Sequence, residues 1–273
     1  MFAGQTDLSA EAGTSNFAAI YALNALQASA LTLTVLALIP ALFSESVQRM
    51  KTWFALLFCS ILYNISFLLI VGRQAGPRFP SLPLCLIQSG LIYAAPPFFT
   101  TAAVIFMIEL HLRLTAAVNR TQVNEAIMLW SLPAVHTVIF WLAVVVRAIM
   151  LTVSRGDNDF FCNVDQRTLT LTTGASVCLI FDLMIGVEIY TIIFLWRRKL
   201  SIKAVTVRGC AFPIQLFIRT TVYTLVGGLG IILAVLLINT ENNYQTLLLL
   251  PFVPLSMALV FGSHLDILKV YVS

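Results

Sequence analysis

Residues 84–114 read LCLIQSGLIYAAPPFFTTAAVIFMIELHLRL, and this run decides the fold. Its first formal charge is Glu109, so residues 84–108 are an uninterrupted uncharged stretch. A helix crossing a bilayer needs about 20 predominantly apolar residues. A barrel strand would show about ten residues of alternating polarity, and this run does not alternate. Within lipid every backbone polar group must be paired inside the chain. The run therefore predicts a spanning helix.

Six further stretches have the same character: 17–43, 52–72, 126–153, 168–196, 214–238 and 247–263. Charges and helix breakers collect between them. Over all 273 residues, 59% are hydrophobic and 10% charged, with a mean hydropathy of +0.94. Soluble domains carry about 45–50% apolar and about 25% charged residues. These figures exclude a soluble enzyme, a nucleic-acid binder and a disordered chain. The net charge of +4 does not signal nucleic acid, because placement of the basic residues matters more than their sum. The expected fold is an all-α membrane protein, a bundle of seven transmembrane helices.

Orientation follows from Lys and Arg alone. With seven spans, the first, third and fifth loops share the C-terminal side, which holds Arg49, Lys51, Arg113, Arg120, Arg197, Arg198, Lys199, Lys203, Arg208 and Lys269. The other side holds Arg73, Arg78, Arg155 and Arg167. The excess predicts a cytosolic C-terminus and an outside N-terminus, in a multi-pass protein expected at the plasma membrane. Residues 1–16 form a short extracellular segment without Lys or Arg, and 264–273 a short cytosolic tail. The leading segment lacks the basic start of a cleavable signal peptide.

Five cysteines divide by depth. Cys59 and Cys178 lie within spans and Cys210 in the third cytosolic loop. Cys85 opens the third span and Cys162 lies in the next outside loop. These two share an oxidising compartment, where a disulfide persists. A bridge between them is expected, with two free thiols as the alternative.

Seven helices, an outside N-terminus and this cysteine placement resemble the G-protein-coupled receptor plan. The chain is more similar to the orphan seven-helix receptor-like proteins of mushroom-forming fungi. The likeness rests on Cys85-Leu86-Ile87-Gln88, Tyr93-Ala94-Ala95-Pro96-Pro97, Cys162, and Phe261-Gly262-Ser263-His264-Leu265-Asp266-Ile267-Leu268. It covers most of the chain from Cys85 onward. The resemblance implies a sensor of an extracellular ligand, coupled to a heterotrimeric G protein. The chain departs from the receptor plan in carrying Glu109-Leu110-His111-Leu112-Arg113 where a Glu/Asp-Arg-Tyr triplet usually ends helix 3. It also lacks the Cys-Trp-x-Pro and Asn-Pro-x-x-Tyr motifs, and has Pro251 and Pro254 in its last span.

Ionisable groups within lipid cost ~2.5–3.5 kcal/mol each on insertion scales and so point to function. Glu188 and Arg219 each lie about ten residues from a cytosolic span end, roughly 15 Å deep at 1.5 Å per residue. A Glu188–Arg219 pair is the expectation, acting as a switch or as a static packing element. Glu109 and Arg113 stand i, i+4, either as a cytosolic lock or satisfying each other. Asp182 is expected to hold a cationic ligand group or to pair with Arg147. Gln88 and Tyr93 are candidate ligand contacts, with interhelical hydrogen bonding as the alternative for each. Pro96-Pro97 removes two backbone donors and should bend the third span, opening space beside it. Gly227, Gly228 and Gly230 suit close packing or a hinge. Arg197, Arg198, Lys199, Lys203 and Arg208 form a basic loop for a partner with an acidic face, or for anionic membrane lipid.

Catalytic readings find little. The three histidines do not supply the three converging ligands that a membrane zinc hydrolase needs. No metal, cofactor or enzymatic activity is expected. A small-solute transporter is the rival class, because proline-broken helices mark many transporter sites.

Overall fold

The computed structural model describes residues 5–43, 50–74, 80–119, 136, 138, 140, 141, 153–155, 160–164, 167–197, 211–237 and 248–263. In chain order its elements are α1 (Gln5–Phe43), α2 (Lys51–Leu68), α3 (Leu82–Asn119), β1 (Val153–Arg155), β2 (Cys162–Val164), α4 (Arg167–Arg197), α5 (Ala211–Leu237) and α6 (Phe252–Gly262). Five of these helices are long and apolar enough to cross a membrane, which makes this a multi-pass membrane protein. Most of the expected fourth span, 126–153, lies outside the described residues; within it 136, 138, 140 and 141 are helical positions.

α3 is the axis of the bundle. Of its most apolar window 67% is buried, against 22% for α4, so α3 is packed by protein while α4 turns mostly outward. α2 and α4 pack on α3, α1 packs on α2 and α6, and α5 packs on α6. The buried face of α1 runs Leu23, Gln27, Ala30, Thr34 and Ala37, a helical stripe of small or slender side chains. Small residues let helix backbones approach closely where lipid supplies no hydrophobic drive. Ala37 meets Gly262 of α6 in this way, since a Cβ built on Gly262 would lie 3.5 Å from the Ala37 methyl.

Two expectations are corrected here. The stretch 247–263 does not form one long helix: α6 has 11 residues and starts at Phe252, after a break at Leu250–Pro251. Pro251 occupies its N-cap position and Pro254 its first turn, where a missing N–H costs nothing. The expected fourth span, 126–153, also overruns its end, because Val153 belongs to β1. β1 and β2 form an antiparallel hairpin that pairs Val153 with Val164 and Arg155 with Cys162, so the described residues are helical apart from one short hairpin.

Pro96 and Pro97 leave α3 unbroken as a helix of 38 residues. They cannot donate to the carbonyls of Ile92 and Tyr93, one turn earlier. The hydroxyls of Thr100 and Thr101 donate to the Pro97 carbonyl at 3.1 and 2.7 Å, occupying acceptors on the next turn.

Candidate functional site

The hairpin is held over one end of the bundle by five separate attachments. Cys85 at the start of α3 is bonded to Cys162 of β2, with Cα atoms 5.3 Å apart. One turn further along α3, the Gln88 side-chain oxygen accepts the Cys162 backbone N–H at 3.0 Å. Gln74, after α2, donates to the Phe160 carbonyl at 2.9 Å, and Asn24 of α1 donates to the Gln74 side chain at 2.5 Å. Phe160 itself is buried against Ala19, Ile20 and Leu23 of α1. Phe161 turns the other way into the main core, edge-on to Phe67 of α2 with ring centroids 6.1 Å apart. The two neighbouring phenyl rings thus pin the hairpin to α1 and α2, and the disulfide pins it to α3.

Deeper in the bundle lies an apolar cavity of about 140 Å³, open along one side. Its walls come from α2 (Tyr63), α3 (Pro96, Phe99), α4 (Val177), α5 (Gly230) and the broken entry to α6 (Leu250). Three of these walls give up volume for an identifiable reason. Proline stands where α3 would present a longer side chain, glycine where α5 would, and at Leu250 the chain turns between helical positions 248 and 249 and α6. The three glycines of α5 divide in use. A Cβ on Gly227 or Gly228 would sit at ordinary contact distance, 3.4 or 3.5 Å, from the Phe181 ring, so these two lie beside that one side chain of α4. A Cβ on Gly230 would meet nothing within 4 Å. The Tyr63 hydroxyl bonds the Leu250 carbonyl at 3.3 Å, bridging α2 to the helix break.

The opposite end holds an ion pair. Arg113 Nε donates to Glu109 Oε1 at 2.8 Å, and the other Glu109 oxygen accepts the Thr52 hydroxyl of α2 at 2.6 Å. Glu109 is buried, so its carboxylate joins α3 to α2 while pairing with its own helix neighbour. Beside it, His111 Nδ1 lies 2.9 Å from the Thr191 hydroxyl of α4. Thr191 donates its own proton to the Val187 carbonyl at 2.7 Å, which leaves His111 Nδ1 as the donor between the helices.

The expected Glu188–Arg219 pair does not form. Arg219 donates to the Val260 carbonyl at 2.7 Å and to the Ser263 hydroxyl at 3.1 Å, closing the C-terminal end of α6. The reason is packing partners: α5 lies mainly against α6, and α4 mainly against α3. Depth along two sequential helices does not set the rotation that would turn the side chains together. Glu188 is buried, and its Oε1 has no hydrogen-bond partner among the described residues.

Of the candidate ligand contacts, Gln88 is fully buried and committed to Cys162, and its amide nitrogen reaches the Ser66 carbonyl at 3.4 Å. Tyr93 is buried and Asp182 is exposed on α4. None of the three lines the cavity. Arg197 is exposed at the end of α4, while Arg147, Arg198, Lys199, Lys203 and Arg208 lie outside the described residues. Pro96 and Gly230 were legible as breaker and small residue; Tyr63, Phe99 and Val177 carry no signal that separates them from other apolar helix positions. No known family model matches the chain, and no curated protein is significantly similar to it. The fold and its bridge define a class, a multi-pass helical membrane protein with a disulfide-anchored hairpin over a bundle cavity.

Proposed function

We propose that this chain is a seven-span, receptor-like membrane sensor resembling the G-protein-coupled receptor plan. The observation that carries the reading is the Cys85–Cys162 bridge, which fixes a hairpin across the bundle end above a half-open apolar cavity. A covalently tethered roof with a space beneath it suits recognition of a ligand more than continuous passage of a solute. Disulfides persist in oxidising compartments, so the bridged end is the extracellular one in this reading, which agrees with the distribution of Lys and Arg. Ligand binding displaces α5 and α6 at the other end, and the basic segment from Arg197 to Arg208 receives a cytosolic partner, a heterotrimeric G protein. The protein acts without catalysis or cofactor and resides in the plasma membrane.

The test is guanine-nucleotide exchange. Membranes containing the protein are expected to accelerate uptake of a non-hydrolysable GTP analogue by G-protein α subunits from the same organism, above matched membranes without it. No acceleration by any α subunit, together with solute flux through liposomes containing the purified protein, would replace the sensor by a transporter.

A further inference from the structure

We infer that the cavity beside Tyr63 binds an uncharged hydrocarbon group about the size of a single six-membered ring. This deepens the sensor reading and rests on it for its role in signalling, though not for binding itself. The cavity holds about 140 Å³. An engineered apolar cavity of about 150 Å³ stays dry and takes up benzene or xenon. The match in size and lining sets the occupant's dimensions.

Chemistry follows from which polar groups have capacity to spare. The Thr100 hydroxyl sits 3.0 and 3.1 Å from the Pro96 and Pro97 carbonyls, and the Tyr63 hydroxyl is directed at the Leu250 carbonyl. Phe99, Val177, Ile231 and Val253 add only hydrocarbon. An ammonium or carboxylate entering this space would lose its hydration with no charge to replace it, a cost that excludes it. The cationic ligand that a role for Asp182 would have required has no place here, since Asp182 is not on the wall. At Gly230 a Cβ would meet nothing within 4 Å, so the space there is open to a larger side chain.

A hydrocarbon group reaches such a site either as a free small molecule or as the end of a lipid acyl chain. The probe is toluene, titrated into nanodiscs of a single saturated phosphatidylcholine holding the full chain, with thermal unfolding as the readout. Toluene is expected to raise the midpoint by a few degrees, while benzylammonium and benzoate leave it unchanged. Gly230→Leu, which places a side chain in the open space, is expected to abolish the toluene response. Val177→Phe fills the cavity from the opposite wall and is expected to do the same, so the inference remains testable if one variant fails to fold. Native mass spectrometry separates the sources: phospholipid retained by the unmodified protein and lost from both filled variants assigns the acyl chain. A toluene response without retained lipid assigns the free molecule.

An equal toluene response in the unmodified and filled proteins would overturn the inference, as would stabilisation by benzylammonium, or neither toluene response nor retained lipid. Nucleotide exchange in the same discs keeps the two readings apart. Toluene binding by a protein that never promotes exchange removes the sensor and leaves the site; exchange without any hydrocarbon binding does the reverse.

Discussion

The Cys162 backbone N–H donates to the Gln88 side-chain oxygen at 3.0 Å, one helical turn from the Cys85 sulfur to which Cys162 is bonded. One residue of the hairpin is therefore held to α3 twice, once covalently and once by a buried amide. The covalent link closes a loop of sequence separation 77, and the hydrogen bond sets which way β2 faces when it is closed.

Removing either cysteine breaks the same bond. Cys85→Ser, Cys162→Ser and the double variant are expected to lose similar stability, because the second change has no further bridge to remove. Loss of a native disulfide costs ~2–5 kcal/mol in small secreted domains. Gln88→Leu leaves the Cys162 N–H buried without its acceptor, at a cost of ~1–3 kcal/mol. Thermal unfolding in a defined detergent measures all four. Additive cysteine effects, or two alkylatable thiols in the unmodified protein, would contradict the bridge.

Glu109 serves two helices, so the partners should weigh differently. Thr52→Val removes one hydrogen bond to a carboxylate, expected to cost ~1.5–3 kcal/mol. Glu109→Leu removes that bond together with the ion pair to Arg113 and should cost more than Thr52→Val. If Thr52→Val were as damaging as Glu109→Leu in the same unfolding assay, the carboxylate would not be the hub between α2 and α3.

Arg219 closes the end of α6, and Glu188 plays no part in that contact. Arg219→Met is expected to destabilise the protein by ~0.5–1.5 kcal/mol through loss of its part-buried and exposed hydrogen bonds to Val260 and Ser263. Glu188→Gln should act independently. A double-mutant cycle between the two is expected to give a coupling within ~0.5 kcal/mol, the range of sites that do not touch. A larger coupling would restore the ion pair that matched depth along the chain suggested.

Orientation has a chemical test at the end of α3. Asn119-Arg120-Thr121 matches a glycosylation acceptor, and the proposed topology puts it on the cytosolic side. It should remain unmodified in a eukaryotic host. A glycosidase-sensitive mass shift that disappears in Asn119→Gln would reverse the orientation.

Much of this protein was legible along the chain. Runs such as 84–108 must be helices in lipid, because no water is present there to satisfy an unpaired backbone. The Glu109–Arg113 contact is local, four residues apart on one helix, so its geometry belongs to α3 alone. The cysteine pair followed from compartment and depth. The partners of Arg219, the commitment of Gln88 to the hairpin, and the cavity beside Gly230 were decided only in the tertiary structure. Each depends on how a helix is rotated about its axis, and hydropathy says little about rotation in a bilayer. Lipid tails are as apolar as leucine, so outward-facing Leu179 and Leu225 look no different in sequence from buried Phe181 and Leu216. In water the solvent would have marked the exposed face with charge. Here the packing of neighbouring helices sets it, and that information is not local to any one span.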